Sequence, residues 1–347
     1  MPSTRLIELL TSPETVSTVS DWDWNDIVLA ARKNQLTGQL AAQLQRANQI
    51  EQIPIAVRRH LDLETLTSKR RGESALWEIA TIRRAVDARF PLILLKGCAY
   101  LATGDDNSQG RLFSDIDVMV RQADLPGVET NLVAVGWKPG SVSAYDAAYY
   151  RNWMHEVPPM AHVRRHTVVD LHHAINPPIS RYYVNPALLF KNLETISPGI
   201  FVLSPTDRIV HCALHLLQEG ESRKLLRDLF DLFLLLEQHH GDESSTSQLM
   251  KRAVELNVDR PVTTAINAAR AIFGRAEIQK AAGLDWLGQC VRRSALGAHG
   301  SPGLTSGFAA TALLAHSHWM KMPINILVPH LLRKSMLRPA ENKAAHL

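Results

Sequence analysis

The sequence predicts an α+β fold in which a small mixed β-sheet lies between two helical regions. Residues 1–88 and 204–335 carry apolar residues at helical spacing, whereas the texture changes at Phe90–Pro91. The segment between them has a continuous apolar run at 92–95 and a segment of alternating character at 114–120, both typical of strands. We therefore expect a helical region at 1–88, an α/β core at 89–203, a helical region at 204–335 and a tail at 336–347.

Single elements follow from the same spacing. Ser20 or Asp21 is expected to cap a helix, because a short polar side chain there precedes an apolar-periodic run. The pattern predicts helices over 73–88, 98–103, 122–135 and 224–238. It predicts strands at 92–95, 114–120, 153–161 and 167–173, with a turn at 163–166.

The composition excludes several classes of protein. Of 347 residues, 46% are hydrophobic and 21% are charged, which excludes collagen-like, coiled-coil and mostly disordered chains. The net charge of +4 permits an anionic partner but is small for a dedicated nucleic-acid binder. Cys98, Cys212 and Cys290 are far apart, which favours reduced thiols and a cytoplasmic location. We expect neither a signal peptide nor a membrane-spanning segment.

Three acidic residues form the main candidate site. Asp115 and Asp117 are two residues apart on a predicted strand, so both side chains point to one face of the sheet. Adjacent carboxylates raise each other's pKa unless a cation neutralises them, and oxygen ligands suit Mg²⁺ or Mn²⁺. Asp170 lies on a later predicted strand. If that strand is a neighbour of the first, three carboxylates meet at a site able to hold metal ions for phosphoryl or nucleotidyl transfer.

The turn before these acids offers groups for phosphate binding. Gly97 follows a predicted buried strand and precedes a helical segment, so the backbone there can approach a phosphate closely. Lys96, Arg111 and Ser114 are candidates for the other phosphate oxygens, and arginine offers a fork of donors.

These motifs in this order resemble the nucleotidyltransferase fold of the DNA polymerase beta superfamily. Within it, the chain is most similar to the bacterial group of largely uncharacterised nucleotidyltransferase family proteins. The resemblance covers roughly residues 75–240. The matching segments are Lys96–Gly97, R-x-x-S-D-I-D at 111–117, H-E-V-P-P at 155–159, D-L-H at 170–172 and R-D-L-F-D-L at 227–232.

The resemblance implies a Mg²⁺- or Mn²⁺-dependent enzyme that transfers a nucleoside monophosphate from an NTP to an acceptor and releases pyrophosphate. It implies that Asp115, Asp117 and Asp170 are metal ligands, with Asp170 also a candidate base towards the acceptor hydroxyl. Gly97 and Ser114 would lie near the triphosphate. The acceptor stays open between a small molecule, a protein side chain and RNA.

Two alternatives remain. Many members of the superfamily have Gly-Ser or Gly-Gly at the turn, whereas this chain has Gly97–Cys98. Cysteine is a weak hydrogen-bond donor, which motivates a module that binds nucleotide or a partner without turnover. The other alternative is a toxin-like enzyme that modifies tRNA.

Further polar residues have open roles. His172 could bind metal, orient Asp170 or face solvent. His211 and His215 have the spacing of a helical zinc site but lack an evident third ligand, so a packed pair is the simpler interpretation. Arg227 and Asp231, also four apart, could form an ion pair or contribute to an acceptor pocket.

Overall fold

The computed structural model describes residues 2–140, 149–150, 153–220, 223–275, 283–297 and 304–329. The first part of the chain is helical, as predicted. It forms α1 (Pro2–Thr11), α2 (Asp21–Lys33), α3 (Thr37–Arg46) and the long α4 (Ile55–Ala85). Ser20 caps α2, because its hydroxyl accepts from the Asp23 backbone N–H while the Asp23 carboxylate accepts from the Ser20 N–H.

The described residues form one seven-stranded mixed sheet. Its strands are β1 (Leu92–Leu94), β2 (Asp115–Met119), β3 (Trp137–Pro139), β4 (Met160–His162), β5 (Val168–His172), β6 (Leu193–Ser197) and β7 (Ile200–Leu203). Their spatial order is β3-β4-β5-β2-β1-β7-β6. The pairs β2/β5 and β1/β7 are parallel, and the others are antiparallel. This arrangement places β2 at the centre, between β1 and β5.

Helices connect and cover the sheet. α5 (Lys96–Thr103) follows β1 directly, α6 (Leu125–Ala134) follows β2, and the short α7 (Pro186–Leu189) precedes β6. After β7 the chain is again helical, as expected. The elements there are α8 (Pro205–Glu219), α9 (Leu225–His239), α10 (Glu243–Glu255), α11 (Asp259–Phe273), α12 (Trp286–Gly297) and α13 (Leu304–Lys321).

One hydrophobic core joins the three parts of the chain. It includes Leu40 of α3, Ile93 of β1, Val169 of β5 and Phe230 of α9, all fully buried. α4 packs against α5 and β2, so the N-terminal helices contact the strand that carries the acidic pair. The fold is therefore a mixed α+β fold with helices around a sheet, as the sequence predicts. The predicted domain boundaries stay a prediction, and the predicted tail lies outside the described residues.

Two sequence predictions about the sheet need correction. The strand expected over 153–161 is mostly irregular: Glu156 makes an isolated bridge to His172, and β4 begins only at Met160. The strands β3, β6 and β7 were not predicted. β3 has three residues and ends in proline, and the β6 side chains are partly or largely exposed, so neither has a clear apolar periodicity.

Two further features concern membrane spans and cysteines. No helix in the described part of the chain is both long and apolar enough to span a lipid bilayer. Cys98, Cys212 and Cys290 are all buried free thiols.

Candidate active site

The structure brings the three predicted acids together on one face of the sheet. β2 and β5 run parallel, and their register pairs Asp117 with Asp170. Side chains of residues paired across a parallel ladder point to the same face, and the strands are about 4.8 Å apart. Asp115, two residues before Asp117, shares that face. The proximity of the acids follows from this register, while their role as metal ligands stays a prediction.

Asp117 is buried and has two hydrogen-bonding partners. Lys96 donates from Nζ to Asp117 Oδ1 at 2.8 Å, and His172 Nε2 lies 3.1 Å from the same oxygen. Burial opposes ionisation, but the Lys96 ammonium and the His172 ring together hold the pKa of Asp117 well below its usual range. Lys96, predicted to bind phosphate, therefore neutralises a candidate metal ligand in this structure.

The pKa of Asp170 is shifted in the opposite direction from that of Asp117. Burial, followed by the charges of Asp117 and Glu156, raises the pKa of Asp170 to about 7. Its Oδ1 is buried and has no hydrogen-bond partner among the described residues. The repulsion expected between neighbouring carboxylates therefore contributes to the raised pKa of Asp170. A buried carboxylate oxygen without a donor suits a cation, so the residues present fit a divalent ion beside the acids.

Glu156 and His155 are functional candidates that sequence reasoning missed. The bridge between Glu156 and His172 brings Glu156 Oε2 to 3.6 Å from His172 Nδ1, and His155 Nε2 is 3.9 Å from the same carboxylate oxygen. Burial lowers the pKa of His155 well below its usual value. In the sequence, residues 155–159 are identifiable only as a segment similar to the family. No pattern indicated that their side chains lie beside β5. His172 contacts Asp117 and Glu156, not Asp170, and does not face solvent.

The turn between β1 and α5 has an unusual backbone at Lys96. Lys96 has φ +46°, in the left-handed region that non-glycine residues rarely adopt. A Cβ at position 97 would lie 3.1 Å from Cδ1 of Phe113, so any larger residue there would have to displace the Phe113 ring. The Cys98 thiol is buried and points to the backbone oxygen of Asp115 at 3.6 Å. Since burial also raises its pKa, Cys98 is a packing residue and is poorly suited to be a nucleophile.

Ser114 and Arg111 have different surroundings. Ser114 is exposed, and its hydroxyl donates to Asp115 Oδ1 at 2.8 Å. Arg111 lies close to Gly97, but its Nη2 is 3.3 Å from Asp231 Oδ2 in a buried ion pair. Burial disfavours the charged guanidinium, and the Asp231 carboxylate more than compensates, so the pKa of Arg111 is raised. A role for either residue in phosphate binding stays a prediction.

The remaining polar residues form packed pairs. The rings of His211 and His215 meet edge to face with centroids 6.3 Å apart, and burial lowers the pKa of His211 to about 3. The predicted ion pair between Arg227 and Asp231 is not formed. Arg227 instead donates to Asp228 at 2.6 Å. Asp231 pairs with Arg111, whose Nη2 is 3.3 Å from Asp231 Oδ2.

A cleft of about 930 Å³ opens beside the acidic face. Ser114 and Asp115 line it on the sheet side, and α4 and the 165–167 turn form its walls. The walls include Arg70, Arg71 and Trp77. Trp77 is 53% exposed, so its ring is accessible to a ligand.

The chain combines a mixed sheet with an acidic pair on one strand, a third acid on the neighbouring parallel strand and a lysine–glycine turn beside them. The sequence motifs predict this arrangement for a nucleotidyltransferase. Comparison with known families agrees. The model of a family described as uncharacterised nucleotidyltransferase matches residues 20–274, and the chain belongs to this family. A search of curated proteins and a search of solved structures each found no match. The resemblance of the sequence motifs to an uncharacterised nucleotidyltransferase family is thereby confirmed.

Proposed function

We propose that this protein is a Mg²⁺-dependent nucleotidyltransferase, with Mn²⁺ as a substitute, that transfers a nucleoside monophosphate from an NTP to an acceptor hydroxyl. The acceptor oxygen would form a bond to the α-phosphorus while the bond to the β-phosphate oxygen breaks and pyrophosphate leaves. The observation that carries the proposal is the register of β2 and β5, which sets Asp170 beside Asp117 and on the face of Asp115.

The three acids would hold the divalent ions, which when bound neutralise charge on the phosphates and the leaving group. Asp170 also suits the role of base towards the acceptor hydroxyl. Without a metal ion its pKa is raised to about 7, and a bound divalent cation would lower this pKa and keep the carboxylate ionised, as a base requires. Asp117 stays ionised and suits a constant ligand role.

Lys96, Gly97 and Ser114 would bind the triphosphate. The Lys96 side chain is 23% exposed, so its ammonium can turn from Asp117 to a phosphate oxygen. Gly97 lies in the first turn of α5, where backbone N–H groups favour negative charge. Arg111, fixed by Asp231, would add positive potential behind this turn.

The cleft beside Asp115 is the candidate acceptor site. Arg71 is exposed and has no carboxylate within 4 Å in the part of the chain that the structure covers, so its guanidinium is available to an anion. Trp77 offers a planar surface near it, with Arg165 Cζ 5.5 Å from the ring centroid. Cations beside an exposed ring favour an acceptor with a negative charge and a planar group, and an RNA end has both.

The test combines the protein with each α-labelled NTP, Mg²⁺ or Mn²⁺, and either total RNA, a protein fraction or a metabolite extract. We expect label transfer and pyrophosphate release that are lost in Asp115→Asn and retained in Asp26→Asn, which changes an exposed aspartate of α2. Trp77→Ala and Arg71→Ala should raise KM for the acceptor and leave NTP binding unchanged. Absence of release with all NTPs and fractions would contradict the proposal.

A binding module without turnover is the second candidate, and the Lys96–Asp117 contact favours it. A lysine ammonium at 2.8 Å already neutralises Asp117, as a metal ion would. Calorimetry with each NTP separates the two functions. Tight nucleotide binding that needs no divalent ion, together with no pyrophosphate release, supports the module.

A further inference from the structure

Three side chains next to Asp117, on the same side of the sheet as the acids, form a second group of potential metal ligands. His155, Glu156 and His172 each offer one ligand atom, and these atoms all lie within 4.8 Å of one another. Glu156 Oε2 lies between the two rings, 3.6 Å from His172 Nδ1 and 3.9 Å from His155 Nε2. The His172 side chain is only 1% exposed, whereas the Glu156 side chain is 21% exposed. The cluster is thus mostly buried, with access from solvent on the Glu156 side.

The hydrogen bonding of His172 points to a missing cation. His172 Nε2 lies 3.1 Å from a carboxylate oxygen of Asp117, which can only accept, so the ring places its N–H there. His172 Nδ1 is buried and has no hydrogen-bond partner among the described residues. It faces the Glu156 carboxylate at 3.6 Å, and the lone pair of a neutral ring would there oppose a carboxylate oxygen. A metal ion between the two atoms satisfies both.

The spacing of the ligand atoms favours a tetrahedral ion. Zn²⁺ binds histidine nitrogen and carboxylate oxygen at about 2.0–2.2 Å, which places neighbouring ligand atoms about 3.4 Å apart. The 3.6 and 3.9 Å separations are a few tenths of an ångström wider, as expected when nothing yet draws the ligands together. Octahedral Mg²⁺ requires neighbours about 2.9 Å apart and prefers oxygen to imidazole.

The charge of the surroundings also favours a cation. Asp115, Asp117 and Glu156 lie in or beside this region, and the charge of Lys96 acts on all three carboxylates. Its ammonium is already bound to Asp117. Lys321, whose charge acts on His155, is paired with Glu219. A carboxylate that accepts from the far nitrogen of a metal-bound histidine fixes the orientation of that ligand. Asp117 and His172 have this relation.

We infer that His155 Nε2, Glu156 Oε2 and His172 Nδ1 form a binding site for one transition-metal dication, best suited to Zn²⁺, that is separate from the ions proposed at Asp115, Asp117 and Asp170. The bound ion fixes His172, and His172 in turn fixes Asp117 in its orientation towards the acidic face. His172 is then a positioning residue for Asp117. A water molecule entering beside Glu156 completes the tetrahedron.

The test uses the full chain, stripped with a chelator and dialysed against Co²⁺ or Zn²⁺. With excess Mg²⁺ present to occupy the acidic site, we expect one equivalent of Co²⁺ or Zn²⁺ per chain and, with Co²⁺, visible absorption bands of a four-coordinate site. Glu156→Gln and His155→Gln should weaken binding by about tenfold or more, because loss of even a group outside the ligand set costs about 10–100-fold. His60→Gln, which changes an exposed histidine of α4, should bind normally.

A second variant separates this site from the proposed active site. Asp115→Asn should lose nucleotidyl transfer and keep the Co²⁺ spectrum. Because metal binding is measured separately from transfer, the inferred site can be confirmed even if the proposed function is refuted. The inference is overturned if the protein binds no stoichiometric Co²⁺ or Zn²⁺. It is also overturned if His155→Gln and Glu156→Gln, both folded by circular dichroism, bind as tightly as the parent protein.

Discussion

Substitution of Asp170 by asparagine should stabilise the metal-free protein at pH 8 and abolish nucleotidyl transfer. Burial and the neighbouring acids raise the pKa of Asp170 from 3.8 to about 7. The folded protein therefore holds this proton more tightly than the unfolded chain does. A carboxyl with a raised pKa costs stability as the pH rises from the unfolded value to the folded value. Asparagine resembles the protonated form and avoids that cost.

The magnitude follows from the shift. Between pH 5 and pH 8, a pKa of about 7 in the folded state and 3.8 in the unfolded state changes the free energy of unfolding by about 2.6 kcal/mol. Asp170 is partly exposed, so solvent screening reduces the effect. We expect Asp170→Asn to gain about 1–2 kcal/mol over the parent protein between these pH values after this discount.

Urea unfolding, followed by tryptophan fluorescence in the presence of EDTA, measures the difference in the free energy of unfolding between variant and parent. The measurement is repeated at pH 5, 6, 7 and 8. Asp26→Asn, an exposed aspartate, serves as the control and should give a constant difference. A stability difference for Asp170→Asn that does not change with pH, or that falls as the pH rises, would refute the electrostatic reasoning. Added Mg²⁺ should reverse the order at pH 8, because only the parent protein keeps all three ligands.

Two further substitutions test the ion pairs around the site. Lys96→Met should lower Tm in EDTA, because the ion pair with Asp117 is lost. It should also increase the rise in Tm that Mg²⁺ produces, because no ammonium then competes with the ion for Asp117. An equal rise in Tm for variant and parent would exclude that competition. Asp231→Asn should cost about 3 kcal/mol in urea unfolding, because it leaves the Arg111 charge buried without its partner. Arg46→Met, which breaks an exposed pair with Asp106, should cost less than about 1 kcal/mol, and a similar cost for both would contradict the buried-pair argument.

Local patterns in the sequence predicted the strands that carry the acids, but not that these strands are neighbours. The two-residue spacing of Asp115 and Asp117 sets both side chains on one face of a strand, and the apolar residues beside Asp170 mark a second strand. The family motifs then indicated that these strands are neighbours. Their exact register, with Asp117 opposite Asp170, required the structure.

The contacts that tune the acids could not be predicted in the same way. His172 meets Glu156 only because an isolated bridge joins the last residue of β5 to the irregular segment before β4. Arg111 pairs with Asp231 of α9, and Gln39 of α3 donates to the same residue at 2.8 Å. Such pairings depend on how helices pack around the sheet, and neither spacing nor propensity contains that information.

The backbone at Lys96 connects the fold to the proposed chemistry. The sequence predicts a close approach of the backbone to a phosphate at Gly97, and the structure adds that the preceding residue, Lys96, has a left-handed backbone with φ +46°. That conformation costs a non-glycine residue about 1–2 kcal/mol. Because the carboxylate of Asp117 lies 2.8 Å from Lys96 Nζ, the ion pair offsets the cost when no other cation is present. A cation that binds Asp117 would break the ion pair that stabilises this turn. The Lys96 ammonium would then be free to bind a phosphate.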